Sequence, residues 1–133
     1  MNRHLLLGYQ MLTGLSDTST GLLLIFAPAM TLRLMRLHEI ANTLPFLSFV
    51  GAFVLSVGLA CLYGAFLTTR TGSAPRLEVV WLVTAITRAS VAVFVVSQVI
   101  SGTFEVGWCT VALCDGAVAL LQGVGLWKGW LVY

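Results

Sequence analysis

The sequence predicts an all-α integral membrane protein, a four-helix up-down-up-down bundle with a short interfacial amphipathic helix after the first span. Of 133 residues, 59% are hydrophobic and 9% are charged, whereas soluble domains carry about 25% charged residues. Four apolar runs each reach the roughly 20 residues that a helix needs to cross a bilayer. The high hydrophobicity also argues against disorder, and a dispersed net charge of +2 indicates no nucleic-acid partner.

The four apolar runs contain much Val, Leu, Phe and Gly without sustained apolar and polar alternation. Strands of a membrane barrel alternate, and helices satisfy all their backbone groups internally, so we expect helices. The short connection 101–103 predicts that the third and fourth spans are antiparallel neighbours. Within a single transmembrane domain, residues 1–133, the predicted spans are 5–27, 44–67, 77–100 and 104–126.

The first run could be mistaken for a secretion signal. Arg3 and His4 precede it, and residues 27–29 read Ala-Pro-Ala, a small-residue pattern found at cleavage sites. The apolar region of a signal peptide has about 7–15 residues, whereas this run is longer and contains Asp17. We therefore expect the first span to be retained.

Charged and apolar positions alternate along the connector 29–39, which follows Pro28. Charges at every third residue lie on one face of a helical turn. We expect this segment to lie along the membrane surface, either as a spacer or as a lid or docking helix. The charged positions are Arg33, Arg36 and Glu39, and the apolar positions opposite are Met30, Leu34 and Leu37.

The second span contains no charge but has a small residue at every fourth position. Small residues let two membrane helices approach closely. The contact could be internal, against the first or third span, or could join copies or subunits. These positions are Ala52, Ser56, Ala60 and Gly64.

Basic residues are unequally divided between the two sides of the four predicted spans. The side with both termini has four of them, and the other side has Arg33 and Arg36. Because Lys and Arg are enriched in cytoplasmic loops, we expect both termini in the cytoplasm, in a bacterial inner membrane. The four are Arg3, Arg70, Arg76 and Lys128.

Three ionisable residues, Asp17, Arg88 and Asp115, fall near the midpoints of the first, third and fourth predicted spans. A charge at the centre of a membrane helix costs roughly 2.5–3.5 kcal/mol. We therefore expect the three to meet, because the forked guanidinium can serve two carboxylates. Polar residues share their helix faces and are further candidates for this site: Gln10, Thr13, Thr84 and Gln122.

Two carboxylates and one guanidinium leave one negative charge unbalanced in this cluster. Either one aspartate is protonated, or a cation or ligand completes the set. The cluster could hold the helices in register, handle a proton or ligand, or contact a partner subunit.

Familiar catalytic and metal-binding patterns do not occur in the sequence. Nucleotide-binding, hydrolase and zinc-protease motifs are missing. The three cysteines form no Cys-x-x-Cys pair, and we expect free thiols. His4 and His38 lie outside the spans, on opposite predicted faces, which disfavours a haem held by both. We therefore expect no metal and no cofactor.

A first span with a central polar residue, a connector that begins at a proline and three further spans resemble DoxX-like small bacterial membrane proteins. The residues concerned are 14–17 (Gly-Leu-Ser-Asp), Gly21 and Pro28, followed by Arg88 and 115–116 (Asp-Gly). The resemblance covers the whole chain and implies a helical bundle that often accompanies respiratory or redox membrane enzymes, without evident cofactor ligands of its own.

The sequence favours a non-catalytic membrane protein, an accessory subunit of a larger complex. Its expected partners are the lipid bilayer, other membrane subunits or further copies of itself, and a lipophilic small molecule. The alternative is a membrane enzyme or carrier in which Asp17 or Asp115 exchanges a proton with a lipophilic substrate or along a path, while Arg88 tunes that carboxylate.

Overall fold

The computed structural model describes residues 2–39 and 41–131, and within these ranges the chain is helical, without strands. Two 3-10 turns, Ala41–Thr43 and Val106–Trp108, precede the third and fifth α-helices. The α-helices are α1 Arg3–Phe26, α2 Pro28–Leu34, α3 Leu44–Thr68, α4 Ala74–Ile100 and α5 Cys109–Trp127.

Three helical segments of the described chain are long and apolar enough to cross a membrane: Leu44–Thr68, Ala74–Ile100 and Val106–Trp127. Between 17% and 22% of their most apolar stretches is buried inside the protein. Most of their apolar surface therefore faces outward, as expected of helices in lipid. α1 has a comparable 24 residues, but its centre, residues 16–20, reads Ser-Asp-Thr-Ser-Thr and makes it more polar than these three.

Two helices start earlier than the predicted spans and one starts later. The Asn2 side chain accepts a hydrogen bond from the His4 N–H and starts α1 at Arg3. Pro75 lies in the first turn of α4, where its missing N–H costs nothing. α5 begins at Cys109 because Glu105 is extended and a 3-10 turn follows it, so the connection is longer than the expected 101–103.

The helix of the connector ends at Leu34 and does not continue to Glu39 as expected. Arg36 adopts a left-handed conformation, with φ 57°. The N–H of Leu37 then bonds the carbonyl of Leu32 at 2.9 Å, and the N–H of Arg36 bonds that of Arg33 at 3.0 Å. These two bonds form a Schellman motif, which terminates a helix.

The side chains of the connector also differ from the predicted two faces. Leu37 is buried, as is Leu32, whereas Met30 and Leu34 are exposed. The chain reverses after Leu34, and this turn brings the Arg33 guanidinium within 3.1 Å of the Glu39 carboxylate.

Glycines allow α1 and α3 to pack with their backbones in contact. A Cβ added to Gly58 would lie 2.4 Å from the backbone nitrogen of Thr18, and one added to Gly21 would lie 2.5 Å from that of Leu55. Both distances are far below any van der Waals contact. Because the later residue of α1 meets the earlier residue of α3, the two helices run antiparallel.

The close contact on α3 is offset from the predicted small-residue ladder. Ala52 and Ser56 are exposed and Ala60 is half-buried, whereas Gly64 is buried against Gln10. A step of four residues rotates about 40° beyond one helical turn, so the ladder winds away from α1. Use of its exposed part between copies or subunits stays a prediction.

The four long helices form two closely packed pairs, α1 with α3 and α4 with α5, and α3 also contacts α4. No Cα atom of α1 comes within 8 Å of a Cα atom in α4 or α5. Long side chains therefore bridge α1 to the second pair, as the Tyr9 and Trp81 rings do with centroids 5.3 Å apart. Near the termini the space between the pairs is filled by an apolar cluster, here called the leucine layer: Leu6, Leu67, Leu77, Trp81 and Leu131.

Candidate functional site

The three charged residues that the sequence placed within predicted spans meet in the structure. Nη1 of Arg88 donates to Oδ1 of Asp115 at 2.6 Å, and Nη2 donates to Oδ2 of Asp17. The Arg88 side chain is 7% exposed, and the two aspartate side chains are 19% and 20% exposed. The predicted Asp17–Arg88–Asp115 cluster is therefore confirmed as a buried ionic contact.

Arg88 makes this contact because it is long enough to cross between the helix pairs. Asp17 lies on α1, whose backbone is far from α4, and Asp115 lies on the neighbouring α5. The forked guanidinium presents a different nitrogen to each carboxylate. Nε of Arg88 is buried and has no hydrogen-bond partner in the described part of the chain. The cluster thus links the two helix pairs at mid-height.

The cluster has one more negative than positive formal charge. Removing charges from water is costly, and ion pairing offsets that cost when the remaining lone pairs are also satisfied. A proton on one aspartate or a cation would balance the charge, and a hydrogen-bond donor of a ligand would stabilise the remaining carboxylate. The half-buried carboxylates Asp17 and Asp115 are the groups that could accept it.

The four polar neighbours predicted from the sequence take different positions. Nε2 of Gln122 donates to Oγ1 of Thr84 at 2.8 Å, and both residues are buried. Gln10 is fully buried but lies against Gly64 of α3. The Thr13 hydroxyl donates to the backbone carbonyl of Tyr9 at 2.9 Å. Thr84 and Gln122 are thus joined directly, whereas Gln10 and Thr13 make other contacts.

The structure adds three interior residues to the four polar candidates predicted for the site. Cys61 is a free, fully buried thiol close to Thr13 and Arg88. Trp81 is fully buried, and Tyr9 packs its half-buried ring against it. The sequence could have indicated that Cys61 is interior, because it lies three residues after Gly58 on the face of α3 that packs against α1.

A second polar contact joins the two helix pairs at the end opposite the termini. Oε1 of Glu105 accepts from the His38 backbone N–H at 3.1 Å, and Oε2 lies 2.7 Å from Nδ1 of His38. Their hydrogen bond raises the pKa of His38 and lowers the pKa of Glu105. Beside them, the buried Leu37 packs against Gly107. The connector after α2 is thereby fastened to the loop before α5.

At the opposite end, Arg3 caps the last turn of α3. Its Nε donates to the carbonyl of Thr68 at 2.8 Å, and its Nη2 donates to that of Thr69 at 2.5 Å. The last carbonyls of a helix have no partner within the helix and carry partial negative charge. Arg3 therefore provides hydrogen bonds to the last carbonyls of α3, and it also adds positive charge on the side of the termini.

No group of three or more His, Cys, Asp or Glu side chains in residues 2–39 and 41–131 is arranged to hold a metal ion. Comparisons with protein families, with curated proteins and with solved structures find no match for this chain.

Proposed function

We propose that this chain is a four-span integral membrane protein with an up-down-up-down arrangement, and that it serves as a non-catalytic accessory subunit of a membrane complex. The observation that carries the proposal is the Arg88 bridge to Asp17 and Asp115. The bridge joins two helix pairs in the interior and leaves a negative charge for a partner or ligand.

The proposal includes α1 as the fourth span. α1 packs antiparallel to α3 over several turns, and α3 is apolar enough to cross a membrane. Asp17 near the centre of α1 contacts Arg88 near the centre of α4, so the centres of the two helices lie at one depth. Asp17 pairs with Arg88 and Thr18 packs against Gly58 of α3, which shelters these two polar groups, whereas Ser16 and Ser19 are exposed.

The distribution of basic residues supports a further part of the proposal, both termini in the cytoplasm of a bacterial inner membrane. A DoxX-like relationship also stays a proposal, supported by the polar centre of α1, by Pro28 and by the positions of Arg88 and Asp115.

The accessory role is supported by how little of the chain lies outside the helices. The turn between α3 and α4 spans residues 69–73, and the connection after α4 is similarly short. Partners therefore have mainly helix surfaces to contact. The exposed part of the predicted ladder, Ala52 and Ser56, is one such surface on α3.

One observation favours the alternative function, a carrier or enzyme that handles a proton or a lipophilic molecule. Asp17 and Asp115 are each about one-fifth exposed, whereas Arg88 is nearly buried. Partial exposure makes a carboxylate accessible to a proton donor or to a ligand, and ionisable groups within membranes are often functional.

Purification in mild detergent of the chain expressed at its native level tests the accessory role. We expect a defined companion chain, which mass spectrometry identifies, and a monomer without any companion would contradict the proposal. The matched variants are Asp115→Asn and, as control, Ser90→Ala at an exposed position of α4. We expect Asp115→Asn to lower the melting temperature and to weaken recovery of the companion, and Ser90→Ala to change neither.

A triple replacement of the cluster separates the two functions. Apolar residues of similar size at Asp17, Arg88 and Asp115 remove all buried charge and restore much of the stability lost in Asp115→Asn. If cells keep their function with this stable triple variant, the carrier or enzyme is rejected. A stable Asp17→Asn protein that loses function would instead support proton or ligand handling.

A further inference from the structure

A second polar layer lies two helical turns from the ionic cluster. Gln10 precedes Asp17 by seven residues, Trp81 precedes Arg88 by seven, and Gln122 follows Asp115 by seven. Seven residues of helix span about 10.5 Å. Because α1 and α4 run opposite to α5, all three displacements point toward the termini. We call these three residues the glutamine–tryptophan layer.

All three side chains of this layer are fully buried, at 0% exposure. Within the described residues, several of their polar atoms have no hydrogen-bond partner. Both amide atoms of Gln10 are unpaired, as are Nε1 of Trp81 and Oε1 of Gln122. Gln122 does use its Nε2, which donates to Thr84. The hydroxyl of Tyr9, whose ring contacts that of Trp81, is also buried without a partner, as is Nε of Arg88 in the ionic cluster.

Buried polar atoms almost always form hydrogen bonds, to protein or to ordered water. A bilayer offers no outside water at this depth, so an unpaired group there is especially unfavourable. The unpaired atoms include donors, such as the Trp81 indole and the Arg88 Nε, and acceptors, such as the Gln122 carbonyl. A ligand that pairs with both the donors and the acceptors must itself donate and accept hydrogen bonds, and it must be small. Water has this chemistry, since a buried molecule forms about three hydrogen bonds.

We propose that the interior between the ionic cluster and the leucine layer is a hydrated site, in which bound water bridges Gln10, Trp81 and Gln122. On one side the site adjoins Thr84, one helical turn from Trp81, and the ionic cluster lies one turn beyond. On the other side the leucines of the leucine layer close it, with Leu6, Leu77 and Leu131 at 0% exposure. These leucines separate the site from the terminal face. This inference concerns the interior and does not depend on an accessory role.

The sign of a stability change tests the hydrated site. Gln10→Met keeps side-chain size and removes an amide whose two polar atoms have no partner among the described residues. If water bridges this amide to its neighbours, the variant leaves those neighbours unpaired, and we expect the melting temperature to fall by roughly 3–6 °C. If the Gln10 amide is dry and unpaired, its removal relieves a penalty and the melting temperature rises, which would overturn the proposal. Gln98→Met, at a half-buried position near the end of α4, is the matched control and should change little.

Hydroxyl-radical labelling by X-ray radiolysis tests the same site in the unaltered protein. Bound water is activated in place and oxidises the side chains that touch it. We expect Trp81, despite its burial, to be oxidised within about tenfold of the rate of Trp127, which is 84% exposed. Oxidation of Trp81 at background level would contradict a hydrated site, and this result decides the question even if a methionine variant does not fold.

Discussion

One carboxylate of Glu105 holds His38 at two points, with Oε1 accepting from the backbone N–H at 3.1 Å and Oε2 lying 2.7 Å from Nδ1. The two residues are 67 positions apart. They lie on the connectors of different helix pairs, so the contact fastens the pairs at the end far from the termini. The His38 side chain is 88% exposed and the Glu105 side chain is 43% exposed, so their charges respond to pH.

We predict that this contact stabilises the protein most between about pH 4.5 and 6.5, the ordinary pKa values of the two groups. Because the pKa of His38 is raised, its contribution to stability is complete below pH 6.5 and is lost as the pH rises through the folded-state pKa of His38. Because the pKa of Glu105 is lowered, its contribution is complete above pH 4.5 and is lost as the pH falls through the folded-state pKa of Glu105. The difference in melting temperature between wild type and Glu105→Gln, measured from pH 3 to 9, should peak in this window.

Glu39→Gln is the control for that experiment, because its partner is the guanidinium of Arg33 and not an imidazole. A difference between wild type and Glu105→Gln that stays constant from pH 5 to 9 would show that the charge of His38 contributes nothing to the contact.

The glycine contact between α1 and α3 predicts a large effect from one methyl group. In Gly58→Ala the new Cβ would lie 2.4 Å from the backbone nitrogen of Thr18, so the helices must separate. We expect a loss of about 1–3 kcal/mol, measured as a lower melting temperature. Gly123→Ala is the matched control: nothing lies within 4 Å of its added Cβ, and alanine favours a helix by up to about 1 kcal/mol. Equal effects of the two variants would refute the close packing.

The helix end at Arg36 predicts a stabilising substitution. Arg36 has φ 57°, whereas Gly102 and Gly129 occupy the same left-handed position after α4 and α5, with φ 76° and 63°. A residue with a Cβ pays about 1 kcal/mol or more for this conformation. Arg36→Gly should therefore raise the melting temperature by a few degrees, and Gly102→Arg should lower it. A lower melting temperature for Arg36→Gly would mean that the Arg36 side chain outweighs its backbone strain.

Arg3 predicts a structural effect that is separable from its charge. Its guanidinium donates to the carbonyls of Thr68 and Thr69, so Arg3→Met should destabilise the end of α3 by about 1 kcal/mol. Arg76→Met removes an exposed basic residue in the first turn of α4, on the same side as Arg3, and should leave the melting temperature nearly unchanged. Hydrogen exchange of the last turn of α3 should accelerate in Arg3→Met alone, and identical behaviour of the two variants would argue against the cap.

The ionic cluster could be predicted from the sequence because a charge within an apolar run is costly and must be neutralised. Asp17, Arg88 and Asp115 are conspicuous for that reason, and their equal depth follows from run length. The glycine contact between α1 and α3 could also have been predicted from the sequence. Gly14 and Gly21 on α1 are seven residues apart, as are Gly51 and Gly58 on α3. The predicted ladder of small residues at every fourth position follows a different face of α3 and did not include this contact.

Other contacts could not be predicted from sequence patterns, because they depend on how the chain turns between helices. The pairing of His38 with Glu105 requires two connectors to meet. The end of α2 at Leu34 depends on a left-handed arginine, which no local signal indicates, since glycine is the usual residue there. The role of Arg3 as a cap depends on the end of α3 lying beside the start of α1.

The distance along the chain between Asp17 and Arg88 has a consequence for biosynthesis. Their separation of 71 residues means that the carboxylate leaves the ribosome on the order of 4 to 14 seconds before its counter-ion, at typical rates of translation. During that interval the first helical hairpin holds an acidic group that nothing yet balances. In the proposed four-span arrangement, newly made α1 must then wait beside the insertion machinery until the second hairpin arrives.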